Sequence, residues 1–191
     1  TTTDNISANT RVKLFWNFNL DNIGTSWRRT KTRSSTSTED QTLVLPDARM
    51  SWSGLSKIAF VKKYAKSTTF SSSYKRTLTK GLQNDVPSHK TETNDFAPLI
   101  SVSVAWKNNI QTKFDHTRKY SRDENIGAAS PIFRSTSEKS YSFNASYSFS
   151  APQGIKLPLI KTIRFDNTLT TSLTFTLTRS SSKNGSLLGG E

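Results

Sequence analysis

The 191-residue chain is long enough for one sizeable domain, yet only 32% of its residues are hydrophobic. It contains no cysteine, which excludes disulfides, thiol nucleophiles and thiolate metal sites. The net charge is +13 at neutral pH, but the lysines and arginines are scattered, and no recognition helix or aromatic nucleic-acid motif accompanies them. We therefore predict that nucleic acid is not a partner.

Alternating apolar and polar residues predict β-strands from one end of the chain to the other. The first predicted strand is RVKLFWNFNL, and the DNIG that follows is predicted to turn the chain. One face of this strand would carry Leu14, Trp16, Phe18 and Leu20. A second strand, TSWRRTKTRSSTST, is predicted to end at a turn around Glu39-Asp40.

The middle of the chain predicts four more strands. QTLVLPDARMSWS leads through the connector GLSKIAFVKKYAK to STTFSSSYKRTLTKG. A polar loop, LQNDVPSHKTETNDFAP, is predicted before the fifth strand, LISVSVAWK. Asn108-Asn109 predicts a tight hairpin to the sixth strand, IQTKFDHTRKYSRDE, because Asn tolerates a positive φ.

The last two predicted strands follow a loop at NIGAASP. The seventh, YSFNASYSFSA, alternates without a single exception, and the connector QGIKLPLIKTI then leads to the eighth, RFDNTLTTSLTFTLTRSSSK. Many of these strands are longer than the five or six residues usual in soluble sandwiches. No apolar run approaches the roughly 20 residues of a membrane helix. The predicted fold is all-β, with about eight antiparallel strands of a transmembrane β-barrel.

Residue parity divides three of these strands into an apolar and a polar face. Outer-membrane barrels alternate in this way between lipid and a wet lumen. The predicted lipid-facing residues are Ile100, Val102, Val104, Trp106, Tyr141, Phe143, Tyr147, Phe149, Leu173, Phe175 and Leu177. The predicted lumen-facing residues are Ser101, Ser103, Ser142, Asn144, Ser146, Ser148, Thr174 and Thr176. A protein core and bulk water would also satisfy the pattern, so a soluble β-sandwich that binds polysaccharide or a cell surface is the alternative.

The two longer apolar connectors resemble each other in their spaced lysines. They predict elements at a membrane boundary, with Lys57, Lys62, Lys63, Lys156 and Lys161 reaching the polar side. Two ordinary loops with a few anchoring apolar residues are the alternative. If every strand reverses direction, both connectors lie at the same end as DNIG and Asn108-Asn109, and the tight turns favour a periplasmic location for that end.

The sequence offers little for chemistry. His89 lies in the predicted polar loop, and His116 follows Asp115 directly, so on a strand the two would project to opposite faces. No nucleophile motif, phosphate loop or metal-ligand spacing accompanies them. We predict no catalytic, cofactor-binding or metal-binding residue, and no enzyme activity.

Two long segments resemble a known family. LPDARMSWSGLSKIAFVKKYAKS and FAPLISVSVAWKNNIQTKFDHTRKYS closely resemble the C-terminal barrel region of the SprA (Sov) family. These proteins are the giant outer-membrane translocons of the type IX secretion system in Bacteroidetes and their relatives. The resemblance covers most of residues 43–179, with Ala48 where the family has an aromatic residue and Ala59 where it has proline.

The resemblance implies a bacterial outer-membrane protein, in which a very large single-chain barrel conducts folded proteins during secretion and gliding motility. The implied partners are outer-membrane lipid, secreted cargo proteins, the plug and accessory subunits of the secretion system, and the remainder of the barrel chain. About eight strands cannot line so wide a pore. Residues 1–191 are therefore expected to be one segment of a longer barrel chain, and closure as a narrow barrel is the alternative.

Overall fold

The computed structural model describes the backbone of residues 1–128, 130–157 and 160–187, with all of their side chains except those of residues 60 and 150–168. These residues form one antiparallel sheet of eight strands in which each strand pairs with its neighbours along the chain. The strands are β1 (Thr2–Lys13), β2 (Phe18–Arg33), β3 (Ser37–Trp52), β4 (Ala65–Gln83), β5 (Val86–Trp106), β6 (Ile110–Asn125), β7 (Ile132–Leu157) and β8 (Ile160–Ser186).

The all-β, antiparallel prediction is confirmed. The sheet is open, with β1 and β8 at its two edges. Within the described residues the strands do not divide into two stacked sheets, which a β-sandwich would require. In this same part of the chain no helix is long and apolar enough to cross a membrane.

The predicted first strand is wrong, because the chain reverses in the middle of it. Trp16 and Asn17 adopt φ values of 55° and 59°, within a short 3-10 helix, Phe15–Asn17, that joins β1 to β2. DNIG does not turn the chain but lies inside β2. The pairing of this segment with β3 shifts register between Leu20 and Asn22 and again between Gly24 and Ser26. The predicted turn at Glu39-Asp40 is likewise wrong, since both residues lie in β3 and residues 34–36 form the turn.

The predicted polar loop at residues 82–98 is also wrong. Only Asn84 and Asp85 leave the sheet, with φ values of 53° and 64°. Two central residues with positive φ are what a type I′ turn requires, and this turn matches the twist of the strands it joins. The remaining residues belong to β4 and β5, with a register shift between Phe96 and Ile100 that accommodates Pro98.

Three other predicted connections have mixed outcomes. The Asn108-Asn109 hairpin is confirmed, since Asn109 has a φ of 62° and Ala105 pairs with Gln111 across the turn. The loop at NIGAASP is confirmed between β6 and β7. The connector QGIKLPLIKTI is wrong in large part, because β7 runs to Leu157 and β8 begins at Ile160. Residues 158–159 and the side chains of Lys156 and Lys161 lie outside the described residues.

The alternating strand directions sort the connections into two ends of the sheet. The helix end carries residues 14–17, the connector at residues 53–64 and residues 107–109. That connector consists of a 3-10 helix, Gly54–Lys57, and the short helix α1, Ala59–Tyr64. The far end carries the turns at residues 34–36, 84–85 and 126–131.

Candidate lipid-facing surface

Apolar side chains form continuous rows across one face of the sheet. Residues opposite each other in an antiparallel pair project to the same side, so the register defines each row. One row passes through seven strands and consists of Phe18, Trp52, Phe70, Val102, Phe114, Phe143 and Phe175. We call the apolar part of this face the apolar band.

The residues predicted to face lipid all lie on the face that carries the apolar band. They are Ile100, Val102, Val104 and Trp106 of β5, Tyr141, Phe143, Tyr147 and Phe149 of β7, and Leu173, Phe175 and Leu177 of β8. The alternation predicted for YSFNASYSFSA within a single strand is thereby confirmed. The residues predicted to face a lumen lie on the opposite face and are Ser101, Ser103, Ser142, Asn144, Ser146, Ser148, Thr174 and Thr176.

Among the described residues, no other part of the chain covers the apolar band. Leu173 is 66% exposed, Phe175 61% and Leu177 55%, and even Phe143 in the penultimate strand is 40% exposed. Soluble proteins rarely expose a contiguous apolar surface that extends across a whole sheet. The band therefore requires an apolar covering from outside the described residues.

The polar face has the opposite chemistry. Asn144 donates to the Thr174 hydroxyl at 2.7 Å, and the Ser148 and Thr170 hydroxyls lie 3.0 Å apart, so β7 and β8 are linked by a ladder of side chains. Charges on this face alternate in sign, as in the pairing of Lys113 with Asp115 at 3.0 Å. Such a face is suited to contact with water.

Charged residues replace most of the apolar residues on this face toward the far end of the sheet. The first charged residues on this face, from β1 to β8, are Asp4, Arg29, Glu39, Arg76, Glu92, Arg118, Lys139 and Arg179. We call this charged zone the basic collar, because its cations outnumber its carboxylates. Its other cations are Lys31, Arg33, Lys80, Lys90, Arg122 and Lys183, and its other carboxylate is Glu124.

The border of the band crosses the rows at an angle. The row that begins with Asp4 and Arg29 reaches β8 at Gly185, six residues beyond Arg179, which is the border residue there. Six residues span about 20 Å along a strand, and the sheet is about 34 Å wide across its strand spacings. The border is therefore inclined to the rows by about 30°. A flat boundary plane would have this inclination if the strands crossed it with a tilt of about 30° from its normal.

The described width of the band is measurable on two strands. Apolar residues occupy this face from Tyr141 to Phe149 on β7 and from Leu169 to Leu177 on β8, apart from Thr171. Each interval is about 26 Å along the strand. Both intervals end where the described side chains end, at Phe149 and Leu169, so they give the extent of the described part of the band.

Glu39 and Glu92, two carboxylates of the collar, are engaged by its own arginines. Glu39 is only 5% exposed and receives hydrogen bonds from Arg29 Nε at 2.8 Å and Nη2 at 2.7 Å, with a third from Gln41 at 2.6 Å. The hydrogen bonds from Arg29 and then Gln41 lower the pKa of Glu39 to about 2. Arg76 pairs with Glu92 at 2.8 Å. These pairs leave a surplus of positive charge on the collar.

The helix end is rich in aromatic side chains. Trp52 Nε1 donates to the Trp16 carbonyl at 3.0 Å, and Trp106 Nε1 donates to the Thr112 hydroxyl at 2.9 Å. Trp16 itself is 75% exposed. The lysines predicted to reach the polar side, Lys57, Lys62 and Lys63, are exposed on the neighbouring connector. Aromatic rings with a polar group of this kind favour the headgroup level of a membrane.

Neither histidine is part of a cluster that could carry chemistry. His116 stacks on Tyr141 with ring centroids 4.3 Å apart, while its neighbour Asp115 lies on the polar face. His89 is exposed and lies 3.9 Å from Asp40. Among residues 1–128, 130–157 and 160–187 no group of three or more His, Cys, Asp or Glu side chains could hold a metal ion.

Comparisons with protein-family models, with curated proteins and with solved structures find no match to this chain.

The basic collar was not predicted from the sequence. Lys139 has the same parity as Tyr141, and Arg179 the same parity as Leu177, so both belong to the apolar face. Residue parity along each strand therefore indicated which face these cations occupy. Their alignment across neighbouring strands depends on the register between the strands.

Proposed function

We propose that the chain is part of an outer-membrane β-barrel translocon of the SprA (Sov) type, whose pore conducts proteins in type IX secretion. The observation that carries the membrane part of this proposal is the apolar band with its inclined border. Outer-membrane strands tilt by about 35–45°, and the border inclination of about 30° is close to this range. In the bacterial outer membrane, the apolar band would meet lipid and the polar face would line the wet interior.

The open sheet supports a role as one segment of a larger barrel. In the described part of the chain, β1 and β8 each pair with a single neighbour, which leaves a row of backbone donors and acceptors at either edge. In a membrane such groups must be paired, because no water is present to satisfy them. The remainder of the barrel chain would supply the missing strands, while cargo, plug and accessory subunits would use the interior.

Gene disruption in the host bacterium tests the translocon function. Loss of the chain is expected to trap secreted cargo in the periplasm, while other outer-membrane barrels insert normally. A copy that carries Ser103→Arg, a change on the polar face, should restore secretion, whereas a Val102→Arg copy should not. Unchanged cargo secretion in the disrupted strain would contradict the proposal, as would recovery of the chain in the aqueous fraction without detergent.

A further inference from the structure

Three cations occupy opposed positions on neighbouring strands at the border of the apolar band. Arg118 of β6 pairs in register with Lys139 of β7, and Lys139 pairs with Arg179 of β8. All three side chains are exposed. Directly opposed residues on one face have Cβ atoms about 4.5–5.5 Å apart, and like charges at that spacing repel each other.

The positions around this row offer no carboxylate within the described residues. On the same face, the neighbours of the three cations are Phe96, His116, Tyr120, Ser137, Tyr141, Leu177 and Ser181. The nearby carboxylates of the collar are already paired, Glu92 with Arg76 and Glu124 with Arg122, each at 2.8 Å. An anion from outside the chain would therefore relieve the repulsion within the row.

A cavity of about 680 Å³ lies where the row meets the apolar band. Lys139, Arg179, Ser137 and Ser181 line its charged side, and Tyr141 and Leu177 line its apolar side. Arginine binds phosphate through two parallel hydrogen bonds, lysine acts as a compact point charge, and serine hydroxyls can donate to the remaining oxygens. The cavity therefore places side chains that can bind a phosphate group next to an apolar surface.

We propose that Lys139 and Arg179, with Arg118 beside Lys139 in the same row, bind the phosphate group of a membrane lipid, whose acyl chains lie along the apolar band. This inference rests on the proposed function, since it places the band in a bilayer. Headgroup phosphates lie at the edge of the hydrocarbon region, which is the level of this row. An acidic protein would match the charge alone, whereas a phospholipid matches both the charge and the apolar surface that continues from it.

Lipid binding by the full chain in neutral detergent micelles tests the site. Phosphatidic acid is titrated into the micelles, with phosphatidylcholine as the comparison lipid, and the bound lipid is measured by native mass spectrometry. The double variant Lys139→Gln/Arg179→Gln is expected to weaken phosphatidic acid binding about tenfold or more, since two charge-assisted contacts are lost. The matched control is Arg28→Gln/Arg49→Gln, which removes the same charge from exposed positions on the polar face. The affinity of this control variant for phosphatidic acid should stay within about twofold of that of the unmodified chain.

Further measurements separate the possible outcomes. Equal losses in the two double variants would show general charge attraction and overturn the site. Inorganic phosphate or polyglutamate at matched charge should not displace the lipid, and complete displacement by either would overturn the lipid as the ligand. Both double variants should insert into phosphatidylcholine vesicles as the unmodified chain does. Insertion without any preference for phosphatidic acid would overturn this inference alone, whereas failure of the unmodified chain to insert would overturn the proposed function.

Discussion

Replacement of Val102 by Arg is expected to destabilise the membrane-inserted chain by about 2–4 kcal/mol, the cost of a cation on the lipid side of a barrel near the bilayer midplane. Val102 lies midway along the apolar part of β5, between Phe96 and Trp106, in the row that also contains Phe70 and Phe114. Its neighbours in that row carry no carboxylate that could form an ion pair with a guanidinium. The measurement is the fraction of chain folded into lipid vesicles along a guanidinium titration.

Ser103→Arg is the matched control for this experiment. Ser103 is the next residue of the same strand, is exposed and lies on the polar face. An arginine there would stay on the polar face, where water can solvate its charge, so we expect a change within about 0.5 kcal/mol. Equal destabilisation by the two variants would contradict the assignment of the two faces.

Gly54→Ala is expected to lower the free energy of unfolding by about 1–3 kcal/mol, because the added methyl group has no room. Gly54 is buried, and a Cβ at this position would collide with the Trp52 indole nitrogen and the Trp16 carbonyl oxygen. These two atoms form the hydrogen bond that joins the β1–β2 turn to the end of β3. The alanine would therefore separate the two turns as well as strain the 3-10 helix.

The control for the glycine replacement is Ser53→Ala. The Ser53 side chain is exposed, and its structural contacts are a backbone N–H bond to Asn17 and a carbonyl that accepts from Ser56, both of which alanine retains. Denaturant midpoints followed by tryptophan fluorescence compare the two variants. A midpoint for Gly54→Ala equal to that of Ser53→Ala would contradict the close packing at this turn.

The parts of the strands that carry the apolar band were predictable because alternation is strict there. In β7 and β8 every apolar residue of the band has a polar neighbour on each side along the strand, and Thr171 is the one polar residue on this face between Leu169 and Leu177, so parity alone defines the faces. The first turn was not predictable in the same way. Leu14, Trp16, Phe18 and Leu20 alternate as a strand would, but Trp16 and Asn17 adopt left-handed backbone conformations that the pattern does not encode.

The far-end portions of the strands were missed for a different physical reason. Beyond the apolar band both faces of a strand contact water, so its composition resembles that of a loop. In β5, Thr91 and Thr93 occupy one face while Glu92 and Asn94 occupy the other, and no apolar residue marks the strand. Backbone pairing with β4 and β6 holds this segment in the sheet, and that pairing is a long-range property that local pattern does not reveal.

The alignment of the cations in the collar also depends on long-range register. Arg118 is opposite Lys139 only because β6 and β7 pair without a register shift along their whole length. On the other side of β6, a register shift between Phe96 and Ile100 sets which β5 residue meets Arg118. Shifts of this kind depend on how three strands fit together. The parity of each strand was therefore predictable, whereas the row of Arg118, Lys139 and Arg179 was not.

Cysteine labelling tests most directly whether the apolar face meets lipid. The chain has no native cysteine, so single thiols at residues 102, 103, 143 and 144 can be compared in lipid vesicles with a membrane-impermeant maleimide. We expect thiols at residues 103 and 144 to react and those at residues 102 and 143 to be protected, with all four reactive once the chain is unfolded in denaturant. Labelling of residues 102 and 143 in vesicles as fast as residues 103 and 144 would contradict the account.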